Sequence, residues 1–206
     1  MPMRFHIYCL TFLVLLTTGT NQPSCNAADE NYTRQRDVIY GRKHGVVLTM
    51  DVFTPKENAN GAGIVYCVLG GRFSAHRGIN PGAYAEFLNR GYTVFAVVHG
   101  SQPKYTIPEI LKDMHRSVRF IRHHAKRFGI DPNRIGISGG SAGGHLSLMQ
   151  GTAGDKGNPK ARDPIDRNSS RVQAVACFFP PTDFLNYGKT GENAVGRGIL
   201  KNFRAP

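Results

Sequence analysis

One short stretch carries the residue types that covalent chemistry needs. It reads Gly139-Gly140-Ser141-Ala142-Gly143-Gly144-His145 and contains Gly139-x-Ser141-x-Gly143. A serine between two glycines at this spacing matches a sharp strand-to-helix bend that lifts its hydroxyl clear of a sheet. Bulky side chains two residues before or after the serine would collide in such a bend. The bend aims the Ala142 amide at a substrate oxygen, and the helix that follows adds partial positive charge for a developing anion. Those are the parts of a nucleophile for acyl transfer.

A second donor for that anion must come from a loop beside the nucleophile. The turn Leu69-Gly70-Gly71-Arg72-Phe73, directly after the apolar run Ile64 to Leu69, is the candidate, with Gly70, Gly71 and Arg72 lining the oxyanion hole. An ordinary Gly-Gly turn is the plainer alternative. A serine nucleophile also needs a base, and the base an orienting acid, in the chain order Ser, acid, His. Asp183, in Pro180-Pro181-Thr182-Asp183, is the only acid well placed after a later strand, and a pocket or structural role competes for it. No His occurs after His145, and His145 itself should pack one turn below the serine. His44, His76 and His99 precede Ser141 and would need an unusual order. His115, His123 and His124 fall off their helix's apolar stripe and read as solvated.

The elements that must position these groups alternate. Asp37–Tyr40 and Val46–Phe53 read as antiparallel strands around a Lys43-His44-Gly45 turn. Ile64–Leu69, Tyr92–Val98, Arg134–Ser138 and Val172–Phe179 are unalternating apolar runs of the kind buried on both faces of a parallel sheet. Pro81–Arg90 is a short helix. Ile107–Phe128 is the clearest helix, with Leu111, Met114, Val118, Ile121, Ala125 and Phe128 spaced 3, 4, 3, 4 and 3 apart. Gly151–Ser170 reads as a polar loop. The order implies an α/β fold with a mostly parallel sheet and helices on both faces.

Two segments now carry a resemblance: Phe128-Gly129-Ile130-Asp131-Pro132-Asn133-Arg134-Ile135, and Gly139 through Leu146. Together they resemble the hormone-sensitive-lipase-like and feruloyl/acetyl-xylan-esterase-like branch of the α/β-hydrolases, and the likeness extends more loosely from Val46 to Asp183. It implies the α/β-hydrolase fold, Ser141 as nucleophile of a carboxylesterase or lipase, and an oxyanion hole of Ala142 and the Gly70-Gly71-Arg72 turn. A peptidase of the same superfamily is a lesser variant. The family's usual His-Gly-Gly-Gly is altered at both ends, to Leu69 and Arg72. The C-terminal strands and helices that would carry acid and His are missing, so a truncated form is expected. A catalytically inert fragment or a non-catalytic binding protein on the same scaffold is the alternative.

The remaining features bound the setting. Arg4, the apolar run Ile7–Leu16 and the small Ala27-Ala28 read as a signal peptide over residues 1–28, with an uncleaved anchor as the alternative, and 29–206 is then expected to be one incomplete hydrolase domain. The apolar run is shorter than the roughly 20 residues of a membrane span, so no stable span is expected, and secretion or export to a periplasm is. The chain carries 26 Lys and Arg against 14 Asp and Glu, a net charge of +12, or +11 once Arg4 leaves. Its densest positive stretch, Lys112–Arg127, interleaves with an apolar stripe and reads as a solvated helix face rather than a nucleic-acid surface. A phosphate cradle is the competing reading of the glycine-rich turn, and the pattern speaks against it: no acidic ribose-binding partner stands near the expected distance, and Gly188-Lys189-Thr190 has Asp183 where a P-loop needs glycine. Cys67 and Cys177 read as two buried thiols. The isolated Cys and unpartnered His offer no metal site. No cofactor is called for, and the expected substrate is a small-molecule or polysaccharide-linked ester.

Overall fold

The computed structural model describes residues 31–68, 73–186 and 189–191. The proposed signal segment and the Gly70-Gly71-Arg72 turn lie outside them. Six strands form one sheet: β1 (Tyr32–Lys43), β2 (Val46–Pro55), β3 (Gly63–Cys67), β4 (Thr93–Val98), β5 (Ile135–Gly140) and β6 (Ala174–Phe178). Their order is β1-β2-β4-β3-β5-β6. The β1–β2 and β2–β4 pairs are antiparallel; β4–β3, β3–β5 and β5–β6 are parallel. Among the described residues three α-helices accompany them, α1 (Ala85–Asn89), α2 (Ile107–His123) and α3 (Ala142–Ala153).

The central strands β3, β4 and β5 are covered on both faces, as their unalternating apolar runs require, whereas β6, read from sequence as another such strand, is largely exposed because it is the last described strand of the sheet. Along β4, Phe95 and Val97 enter one core with Met114, Val118 and Ile121 of α2 and Leu146 of α3. Val94 and Ala96 enter a second core with Tyr84 and Leu88 of the α1 segment. Each fully buried side chain of this size contributes about 1.5–3 kcal/mol from area removed from water. The His44-Gly45 hairpin turn has both residues at positive φ, 44° and 75°, the backbone that matches the twist of its strands.

Several boundaries differ from the sequence reading. β1 begins at Tyr32, because a bulge around Asp37 (φ 55°) keeps the ladder going to the Pro55 end of β2. Across that bulge Arg34 donates to the buried Asp51 from Nε (2.8 Å) and Nη2 (2.6 Å). The α2 helix stops at His123 rather than Phe128, and turns carry Ala125 and Phe128 into the core before Gly129 at φ 65°. Ile110, not Leu111, is the buried residue of its first turns. At its start Thr106 and Glu109 cap each other, with the Thr106 amide 2.8 Å from Glu109 Oε2. α3 runs to Ala153, so the loop after it is shorter than expected.

The basic face of α2 is not simply solvated. Arg116 pairs with Asp163 (2.7 Å) and Asp166 (2.8 Å), and Arg119 holds both carboxylate oxygens of Asp155 at 2.6 Å. Arg122 donates to the carbonyls of Pro132, Ser169 and Arg171. Guanidinium forks suit this stitching because each offers several fixed donors. They tie the 154–171 connection against the helix, where spacing in sequence gave no sign of it. His115 is half-buried, and His123 is exposed with Asn168 Nδ2 3.2 Å from its Nδ1.

The two cysteines differ. Cys67 is buried, with its sulfur 3.5 Å from Ser147 Oγ, and burial pushes its thiol up to about 12. Cys177, expected to be buried, is only half so, because β6 is the sheet's last described strand. Cys67 should therefore resist a disulfide reagent at pH 8 until the protein unfolds. The check is a thiol titration with and without denaturant: Cys67→Ser should lower the denatured count by one and leave the native count unchanged.

Candidate active site

The glycine-rich stretch forms the bend that its spacing demands. β5 ends at Gly140, Ser141 is the N-cap of α3, and α3 starts at Ala142. Ser141 has φ 53° and ψ −122°, a strained backbone for a residue with a side chain, costing about 1–3 kcal/mol. Its side chain is exposed and caps no helix amide. The surroundings hold this conformation. The Ser141 amide donates to Phe178 O (2.9 Å), and the His145 amide donates to Ser141 O (3.0 Å). At Gly139 an added Cβ would lie 2.6 Å from the carbonyl carbon and oxygen of Gly143. At Gly144 it would lie 2.9 Å from Phe178 O. Ala142 opens the helix, so its amide is among the first-turn donors without an intrahelical acceptor. In general, an exposed hydroxyl can attack a carbonyl carbon, and free N–H donors beside it can stabilise the oxyanion that results.

The other candidates are distributed as follows. Asp183 is exposed and committed to its own turn: Oδ1 accepts from the Leu185 (3.0 Å) and Asn186 (2.9 Å) amides, and Oδ2 from Asn186 Nδ2 (2.9 Å). Those bonds hold its carboxyl below the usual range, the Asn186 side chain first among them. His145 sits one turn along α3, where its Nδ1–H donates to Pro181 O (3.0 Å) and its ring meets Phe184 edge-on at 5.1 Å. It pins the segment after β6, and burial holds its pKa below the usual value. His99 is buried at the end of β4, with Nδ1 2.7 Å from Gly100 O. One strand, β3, separates β4 from β5, which puts those strand axes about 10 Å apart. His76 and His44 belong to other contacts, with Thr49 (2.8 Å) and the Tyr105 ring (6.0 Å).

Two features escaped sequence reasoning. The end of β6, Phe178 to Pro181, supports the bend through main-chain carbonyls, which leave no residue-type signature. Asp37, Asp51 and His76 also converge, with one ligand-type atom from each within 4.8 Å of the others. Asp51 accepts there from Arg34 and from the Asp37 amide (3.0 Å), and His76 Nε2 lies 3.4 Å from Asp37 Oδ1.

Comparison with known proteins bears on the family and the fold. Residues 50–201 match the BD-FAE family model. The chain is 28% identical over 158 residues to the "Probable carboxylic ester hydrolase LipM" of Mycobacterium tuberculosis (strain ATCC 25618 / H37Rv), covering 75% of this chain and 36% of that one. It is 39% identical over 106 residues to an acetylxylan esterase of Xylanibacter ruminicola, covering 50% and 21%. Among solved structures, the acetyl ester-xyloside bifunctional hydrolase of Caldicellulosiruptor lactoaceticus aligns with a TM-score of 0.61 at 29% identity, covering 70% of this chain and 56% of that one. A truncated carbohydrate esterase from gut microbiota aligns at 0.67 and 26%, covering 84% and 67%. The chain spans 36% and 40% of the length of two of its curated esterase relatives. The family match takes in more than half of this chain, which therefore belongs to the BD-FAE family, on the α/β-hydrolase fold of the esterases it resembles.

Proposed function

We propose that this chain carries the nucleophile of a serine carboxylesterase. The observation that carries the reading is Ser141, exposed at the end of β5 with a positive φ of 53° and an α-helix starting at the next residue. Ser141 Oγ attacks the ester carbonyl carbon and its proton passes to a base. The tetrahedral oxyanion is met by the Ala142 amide and the Gly70-Gly71-Arg72 turn. The alcohol leaves with a proton, and water then cleaves the acyl-serine to release the carboxylic acid. Relatives named as a carboxylic ester hydrolase and an acetylxylan esterase support an ester substrate, free or attached to a polysaccharide. The apolar run near the N-terminus supports export from the cell. No helix among the described residues is long and apolar enough to cross a membrane.

This sequence has no His after His145, and none of the described His hydrogen bonds reaches Ser141. That observation favours a second reading of the 206-residue chain taken alone, as a scaffold with little turnover. Enzymes stripped of triad members keep only the residual acceleration of oxyanion hole and binding, about 10³–10⁴-fold over water. The two readings share a test. A fluorophosphonate should form one slow adduct on the folded chain, mapped by peptide mass to Ser141, and added imidazole should hasten it by serving as the base. A folded chain that stays unlabelled, or is labelled indiscriminately on surface serines, would remove the esterase assignment.

A further inference from the structure

Where the ladder between β3 and β4 ends, side chains take over from it. Tyr66 of β3 pairs with Ala96 of β4 and with Ser138 of β5. Two residues further along stand Val68, Val98 and Gly140. The chain therefore leaves β3 one strand spacing, about 4.8 Å, from the bend that carries Ser141. The last main-chain bond there runs from the Val68 amide to Val97 O (3.1 Å). Beyond it the Val68 carbonyl and the His99 amide, both on buried residues, meet at one hydroxyl. Ser74 Oγ donates to Val68 O (2.5 Å) and accepts from the His99 amide (3.0 Å). The Ser74 main chain is held as well: its amide donates to Ser101 Oγ (2.8 Å), and that hydroxyl donates to Ser74 O (3.3 Å). The far side of this knot is anchored to α2, where Asp113 Oδ2 accepts from the Gly100 amide (2.9 Å) and from Lys43 Nζ (2.6 Å). A serine hydroxyl has one proton to give and two lone pairs to accept with, and Ser74 uses both functions to join the two ends of the segment it closes. That segment, residues 69–73, holds Gly70-Gly71-Arg72.

Resting on the esterase reading, and on that turn as its second donor, we propose that Ser74 is a positioning residue for the reaction: its hydroxyl fixes residues 68 and 74 to each other and to the end of β4, so that the turn between them offers its main-chain N–H groups to the oxyanion. Ser74 touches no reacting atom in this role. It acts through the turn, and a hydroxyl that merely satisfied two buried groups would change stability alone.

A fluorophosphonate and the fluorophosphonothioate with the same alkyl groups test this on the chain as it stands. In each, Ser141 Oγ bonds to phosphorus, the P–F bond breaks, fluoride leaves, and the serine proton passes to added imidazole. The terminal oxygen or sulfur on phosphorus takes the place of the oxyanion. Sulfur is the weaker acceptor, so the ratio of labelling rates, oxygen over sulfur, reports the donors and is blind to the fraction folded. Removing an oxyanion donor outright costs about 10²–10³-fold, and loosening the turn that carries it costs part of that, so Ser74→Ala should slow the oxygen probe about tenfold and lower the ratio about fivefold. Ser74→Thr keeps the hydroxyl and should keep the ratio. Gly129→Ala, strained at a site away from the turn, should keep it too. Ser74→Ala strands a buried carbonyl and a buried amide. Should the unfolding midpoint show that it does not fold, Ser101→Ala carries the test: it frees only the Ser74 main chain and should lower the ratio in the same direction. A ratio that stays constant in the variant that folds, with both probes slowed equally or not at all, refutes the role of Ser74 while Ser141 labelling still supports the esterase. If neither probe modifies Ser141 in the unaltered chain, the esterase reading falls and the positioning role falls with it.

Discussion

Gly139→Ala is expected to lower the thermal unfolding midpoint by roughly 10 °C and to abolish labelling of Ser141. The added methyl would lie 2.6 Å from the carbonyl carbon and oxygen of Gly143, both backbone atoms. A flexible side chain could swing away; the first turn of α3 cannot, because the Ser141 amide is fastened to Phe178 O on the neighbouring strand. Overpacking against fixed backbone costs about 1–3 kcal/mol and occasionally more, and the buried position of Gly139 points to the upper end. For a chain of this length each kcal/mol moves the midpoint by about 2–4 °C. The functional loss should exceed what instability explains, since any shift that relieves the clash moves Ser141 off the end of β5. Gly129→Ala is the contrast. Gly129 has φ 65° but nothing within 4 Å of an added Cβ, so only the conformational penalty of about 1 kcal/mol applies and labelling should persist. Scanning calorimetry and adduct mass on the two variants separate these cases. Equal losses in both would mean that the close approach at Gly139 does not hold the bend.

That contrast also marks what could be read from sequence and what could not. Gly139-x-Ser141-x-Gly143 was legible because the bend is local: the colliding groups are four residues apart. The strands β3, β4 and β5 were legible for a related reason, since burial on both faces leaves an unbroken apolar run. What pins the bend from outside is not local. Phe178 and Pro181 act through carbonyl oxygens, which every residue possesses, and they reach Ser141 and His145 only once β6 pairs with β5. The arginines of α2 show the same limit. Their spacing marks a polar face, yet what that face meets is set by where the 154–171 connection returns. Asp51 could be read as a polar residue in a strand, but its partner Arg34 lies on the far side of a bulge that no composition rule announces. Cys177 was misjudged by the same token: an apolar run signals a buried strand only when both neighbours are in place.

The strain at Ser141 gives the second large effect, and here stability and function should move in opposite directions. At φ 53° and ψ −122° a serine bears a steric cost that glycine does not. Ser141→Gly should therefore stabilise the fold by about 1 kcal/mol, being relief of about 1–3 kcal/mol of strain less the entropy that a glycine adds to the unfolded chain. Ser141→Ala keeps a Cβ in the same backbone conformation and should leave stability close to that of the unaltered chain. Neither variant has a hydroxyl, so the fluorophosphonate adduct should vanish from both. Denaturant titration orders the three proteins, and mass spectrometry counts the adduct. The pairing is diagnostic because a serine in ordinary helical geometry behaves the other way: glycine there costs about 1 kcal/mol relative to alanine. A destabilised Ser141→Gly with Ser141→Ala unharmed would mean that residue 141 bears no strain. The hydroxyl would then lack the backbone bend that sets it above the sheet.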